Sequence, residues 1–94
     1  MFIVLVRYPN PDAVDAHRPG HYAFIQRLVD EGIILMSGAM VPRVGGAIVA
    51  KIDSRERLEA LLDEDPFKIA GVATYEIIEF FARNGSLTSV LDTA

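Results

Sequence analysis

Cysteine and tryptophan are absent from this 94-residue chain, histidine occurs only twice, and nine basic residues face thirteen acidic ones. Without a thiol there is neither a disulfide nor a thiolate nucleophile, and two histidines with no cysteine beside them form no zinc-ligand pattern, so no metal is expected. The formal net charge of -4 repels a phosphate backbone, and the basic residues are scattered along the chain, which argues against nucleic acid as a partner. No apolar run approaches the roughly 18 residues that cross a bilayer. The opening "MFIVLVRY" is short and lacks the charged start of a signal peptide, so the expectation is a cytoplasmic protein without a membrane partner. Glycine patterns that cradle phosphates are missing too. Gly45 and Gly46 lack the lysine and helix of a P-loop, "SGAMVPRVGG" lacks G-x-G-x-x-G, and neither Ser37 nor Ser86 has the flanking glycines of a nucleophile elbow.

What remains is unusually apolar for its size. Hydrophobic residues make up 51% of the chain, and the mean hydropathy is +0.28. A chain this short forms one domain and buries only about two-thirds of its extended surface. The surplus apolar surface points to a partner chain, most simply a second copy.

The pattern along the chain reads as strand, helix, strand, strand, helix, strand. "FIVLVRY" (Phe2 to Tyr8) is β-branched and apolar on both faces, and is closed by Pro9-Asn10-Pro11. A turn or short helix reaches His17, and a firm helix runs from about Pro19 to Glu31, with proline in its first turn and Gly32 at its C-terminal cap. "IILMSGAMV" (Ile33 to Val41) and "AIVAKI" (Ala47 to Ile52) form a hairpin across "PRVGG". Asp53 or Ser54 caps a helix through about Leu62, with Leu58, Leu61 and Leu62 inward and Arg55, Glu59 and Asp63 toward water. A short turn over "DEDPFKIAG" leads to the last strand, Val72 to Phe81. This is the split βαβ order of an α+β, ferredoxin-like βαββαβ fold with a four-stranded antiparallel sheet. Residues 1–82 form the domain and 83–94 a tail, either mobile or lying on a partner. Two helices cover one face of the sheet, so dimerisation through the other face is expected to cover the second.

Helical steps of about 100° place His21 in one stripe with Phe24, Ile25 and Leu28, opposite Gln26, Arg27 and Asp30. An imidazole on that inner face needs a hydrogen-bond partner, since burying it alone costs about 1–3 kcal/mol. His17 lies in a polar stretch and reads as exposed. Acidic candidates for His21 are Asp53, Asp63, Glu64 and Asp65. Asp65 precedes Pro66 and is equally a helix N-cap, and His21 is equally a satisfied core histidine. A carboxylate holding a histidine in one tautomer is the minimal device for moving a proton.

The combination of "RPGHYAFIQRLVDEG", "SGAMVP" and "DPFKIAGV" resembles the YCII family of small dimeric ferredoxin-like proteins, over nearly the whole chain from Met1 to about Phe81. The resemblance implies a histidine and aspartate pocket near a homodimer interface, carried here onto His21 and Asp65 as catalytic residues. It also matches Arg18, Gly38 and Gly71, and it suggests Arg18 and Gly38 as substrate-binding residues. One departure is Ala39, which follows Gly38 where relatives often carry proline. The proteins it is similar to include a dehydrochlorinase of chlorinated hydroxyhydroquinones and, in the wider fold group, muconolactone isomerases and cofactor-free monooxygenases. The working expectation is a lyase or isomerase with no cofactor, with His21 as general acid/base and Asp65 orienting it; Arg18 either binds an anionic oxygen of a small substrate or is a helix-flanking surface charge. Two other readings stand beside it, a non-catalytic dimeric module that binds a small molecule and a purely structural interaction domain. Phe67 and Tyr75 are read as plain core, although both positions are compatible with a cavity wall.

Overall fold

The computed structural model describes residues 1–92. Four strands, β1 (Phe2–Arg7), β2 (Ile34–Ala39), β3 (Gly45–Ala50) and β4 (Thr74–Glu79), make one antiparallel sheet in the order β2-β3-β1-β4. Helices α1 (Pro11–Val14), α2 (Arg18–Asp30), α3 (Arg55–Leu62) and α4 (Pro66–Ile69) complete an α+β, ferredoxin-like fold. Among the described residues, no helix is long and apolar enough to cross a membrane.

The helices follow local chemistry. Asn10 caps α1 by accepting from the Asp12 N–H, and Ser54 caps α3 by accepting from the Arg57 N–H. Gly32, at φ 76°, lets the chain turn out of α2 into β2, a backbone conformation that disfavours any side chain. The inner face of β1, Phe2, Val4 and Val6, packs with Phe24 and Leu28 of α2 and Leu58 and Leu62 of α3, all fully or nearly fully buried. Each such side chain contributes about 1.5–3 kcal/mol of transfer free energy.

Several sequence-based boundaries move. The stretch before α2 is α1 followed directly by a 3-10 turn (Asp15–His17), and α2 starts one residue earlier than expected. His17 is half-buried in that turn instead of exposed. β3 begins at Gly45 because the two glycines are strand residues paired with Val6 and Arg7, not loop residues. A Cβ at Gly45 would stand 1.9 Å from the Val6 carbonyl oxygen, so only glycine fits this pairing. Expected strand ends at Tyr8, Ile33, Met40, Val41, Lys51, Ile52, Val72, Ala73, Phe80 and Phe81 fall outside the ladder.

Past β4 the chain continues into the tail. It returns to its own domain, where Asp92 accepts hydrogen bonds from Lys51 Nζ and the Ala82 N–H, both at 2.8 Å. The last two positions of the expected tail lie outside the described residues. On the outer face of the sheet, Ile3, Leu5, Val49, Met36 and Ile78 share one side by register, with only the Arg7–Glu76 ion pair as charge between strands β1 and β4.

Candidate functional site

Pro66 opens α4, and Asp65 precedes it in extended conformation, so the carboxylate folds back onto the first turn and Oδ1 accepts the Phe67 N–H at 3.0 Å. That local cap fixes the Asp65 side chain. The inner stripe of α2 then delivers His21 to it, with Nδ1 2.8 Å from the same Oδ1. From β4, Tyr75 donates its hydroxyl to Oδ2 at 2.6 Å. Asp65 is fully buried, and three donors converge on its two oxygens. The cap reading and the histidine-partner reading of Asp65 are therefore both realised, by one oxygen. Asp53, Asp63 and Glu64 pair instead with Arg57, Lys68 and Arg27.

Asp65 Oδ1 accepts the Phe67 N–H, and in the tautomer that lets the same oxygen accept from His21 as well, Nδ1 carries the hydrogen. Nε2 is then the free lone pair of the neutral ring. It makes no hydrogen bond among the described residues and is not one of their buried unpaired atoms, which leaves it accessible. Phe67 lies flat on the imidazole, with centroids 4.0 Å apart and planes 6° from parallel, and so holds the ring's orientation.

Beside the ring is a cavity of about 240 Å³ bounded by α2, Phe67 and the inner sides of β2 and β3. A cavity of about 150 Å³ holds benzene, so this one has room for a single substituted ring. His21 and Arg18 line it from α2, and Gly38, Ala39, Gly45 and Gly46 form a wall with almost no side chains. Arg18 donates through Nε to Asp15 at 2.7 Å, while its Nη2 is buried without a partner. The Asp15 contact raises the guanidinium above its ordinary value. Burial opposes this, and the Tyr22 and Tyr8 hydroxyls add to it, so the group is a permanent cation. A buried N–H with no acceptor is costly, and an oxygen anion in the cavity would satisfy it.

All four residues singled out from the sequence thus border one space or bond to a residue that does: His21, Arg18 and Gly38 line the cavity, and Asp65 holds His21. Tyr75 and Phe67, read as plain core, turn out to contact the pair directly. Tyr75 faces inward opposite Val6 in the β1–β4 ladder, and burial followed by the contact with Asp65 pushes its phenol well above the usual range. Tyr8 and Tyr22 also line the cavity and were not anticipated. An inward tyrosine on an edge strand was the one available signal for Tyr75, because a buried hydroxyl needs a partner. Among the described residues no three metal-ligating side chains gather.

Comparison with known proteins agrees with this architecture. The chain is 34% identical over 97 aligned residues to Protein YciI of Escherichia coli O6:H1, covering 88% of this chain and 98% of that protein. Protein YciI of Shigella flexneri gives the same identity and coverage. Among solved structures, 5-chloro-2-hydroxyhydroquinone dehydrochlorinase (TftG) from Burkholderia phenoliruptrix, in complex with 2,5-dihydroxybenzoquinone, superposes with a TM-score of 0.70 at 16% identity. The superposition covers 85% of this chain and 93% of that one, and at that identity it speaks to the fold. With residues 1–81 matching the model of the YCII-related domain, the chain belongs to the YCII family.

Proposed function

We propose that this protein is a small acid–base enzyme in which His21 Nε2 takes a proton from a small, single-ring or enolisable substrate. Asp65 holds the imidazole with Nδ1–H toward it and balances the positive charge that forms, and Arg18 Nη2 receives an anionic oxygen of the substrate. Gly38 borders the wall on which the ring lies. The electron pair left by the proton then either expels a leaving group such as chloride, a lyase outcome, or is re-protonated at another carbon by His21, an isomerase outcome. Neither outcome needs a cofactor. The observation that carries the reading is the combination, in one cavity, of an oriented imidazole lone pair and a buried guanidinium N–H without a partner.

The dehydrochlorinase with this fold makes a chlorinated hydroxyhydroquinone the first substrate to try. Chloride release from 5-chloro-2-hydroxyhydroquinone, followed by ion chromatography, is expected with the wild type and is expected to fall by about 10²–10⁴ in His21→Asn. Tight binding of 2,5-dihydroxybenzoquinone with no turnover of any hydroxylated or chlorinated aromatic would instead select the non-catalytic binding module.

The functional unit is proposed to be a cytoplasmic homodimer joined through the outer sheet face. Met36 is 54% and Ile78 41% exposed there, and with Ile3, Leu5 and Val49 they make an apolar surface that a second sheet would cover. Leu5→Glu is expected to convert dimer to monomer in analytical ultracentrifugation.

A further inference from the structure

Tyr75 lies outside the cavity wall, yet its hydroxyl occupies Oδ2 of Asp65 at 2.6 Å, while the Phe67 N–H and His21 share Oδ1. Among the described residues it is the sole hydrogen-bond partner of Oδ2. Among the described residues no lysine or arginine pairs with Asp65, and the fully buried carboxylate has as partners two neutral donors and one titratable ring. Burial of this kind has a consequence at the moment His21 takes a proton on Nε2. An imidazolium beside a buried carboxylate can remain an ion pair, or its Nδ1 proton can cross to Oδ1 and leave two neutral groups. A low-dielectric interior favours the neutral pair, whereas each hydrogen bond donated to the carboxylate favours the anion.

We propose that Tyr75 is a positioning residue, the outer member of a Tyr75–Asp65–His21 chain, whose hydroxyl keeps Asp65 anionic so that the Nδ1 proton stays on the imidazole when Nε2 is protonated. The inference rests on the acid–base reading of His21 and Asp65 and adds the group that governs where their shared proton resides. In the forward step, the substrate proton binds Nε2, the Nδ1–H bond persists, and Asp65 stays a carboxylate. In the return step the Nε2 proton leaves and the ring is neutral again, with no net change at Asp65 or Tyr75. The raised phenol supports the assignment, because a hydroxyl that keeps its proton remains a donor throughout. The Lys68 ammonium, 5.6 Å over the tyrosine ring, pairs with Asp63.

The test is nuclear magnetic resonance of the full-length, ¹⁵N-labelled protein carrying His17→Gln, so that His21 is its one imidazole, at about pH 5, where an ordinary histidine is protonated. The expected result for Tyr75→Phe is a downfield shift of the Nδ1–H proton and a reduced one-bond N–H coupling, as the proton is drawn toward Asp65. A tyrosine that only packs would move neither. Asp65→Asn separates the two levels of the argument. It replaces a charged acceptor with a neutral amide oxygen, so the Nδ1–H resonance is expected to move upfield, and if it stays unchanged the His21–Asp65 reading itself fails. If Asp65→Asn moves it upfield and Tyr75→Phe leaves shift and coupling unaltered, the pair stands and the role of Tyr75 is overturned. Should Tyr75→Phe not fold, 3-fluorotyrosine placed at position 75 alone keeps the hydroxyl and makes it a stronger donor. The resonance is then expected to move upfield with increased coupling, and no movement would overturn the proposal.

Discussion

Two carboxylates in this molecule each accept three hydrogen bonds, and they do opposite things. Asp92, about one-fifth exposed, takes its bonds from the Lys51 ammonium, the Ala82 N–H and the Met1 amine. Lys51 first, then the Ala82 N–H, hold it far below the usual carboxylate range, so it is a settled ion pair that ties the tail to Lys51, just past β3, and to Met1, just before β1. Asp65 is fully buried and is met by a phenol, a backbone N–H and an imidazole, none of them a permanent cation. A carboxylate paired with a fixed cation has nothing left to do. One surrounded by neutral donors and a titratable ring has a reason to stabilise positive charge when that ring is protonated. With the number of donors equal, it is their identity that separates a clasp at Asp92 from the proton-handling site proposed at Asp65.

The strongest way to break this contrast is to remove each carboxylate in turn. Asp65→Ala strands the Phe67 N–H, the Tyr75 hydroxyl and His21 Nδ1 in the interior, and about 3 kcal/mol or more of stability is expected to be lost, measured by urea unfolding. Asp92→Ala is expected to leave the midpoint of the sheet's unfolding far less changed while opening the chain after Ala82 to protease. Equal losses in the two variants would erase the distinction. Next in size, His21→Gln is expected to cost about 1–2 kcal/mol of stability at most, because its amide can still donate to Asp65. A larger loss would return His21 to the status of a core residue.

Alkaline and acid titrations sharpen the contrast further. The Tyr75 phenol is raised in the fold, so its contribution to stability is complete below the ordinary value of 10.0 and is lost as pH rises above it, when the unfolded chain gives up a proton that the folded one keeps. The wild type is expected to lose more stability than Tyr75→Phe between neutral pH and the alkaline range, as followed by circular dichroism. Asp92 has the opposite sign. Its value is depressed, so its contribution is complete above the ordinary carboxylate range and fades as pH falls below about 4. Faster hydrogen exchange at the Ala82 amide on acidification, relative to a neighbouring amide of β4 and after correction for the intrinsic rate, is the smallest expected effect. An Asp92→Asn variant with the same acid response would remove Asp92 as its source.

The four strands, the long helix and its inward stripe were legible along the chain because alternation and 3.6-residue periodicity are local properties of sequence. Gly32 and Ser54 announced helix ends for the same reason: each satisfies a need of its own neighbours. Arg18 and His21, one helical turn apart, could be placed on one side of α2 without reference to anything else. The boundary of β3 was not legible. The glycines at 45 and 46 look like a turn until β1 lies beside them, and then the approach of the Val6 carbonyl requires glycine at 45.

By itself, then, the sequence determined the order of elements, the inner face of α2 and the cap that Asp65 makes on α4, all interactions spanning a few residues. Only the tertiary structure decided which of four nearby acids meets His21, that Tyr75 completes the group from ten residues further on, and that Arg18 keeps a buried N–H free beside the same cavity. The physical reason is distance along the chain. His21 and Asp65 are 44 residues apart and come within 2.8 Å because two helices pack on one sheet face, a placement set by the burial of Phe24, Leu28, Leu58 and Leu62 and not by any property of the two polar residues themselves.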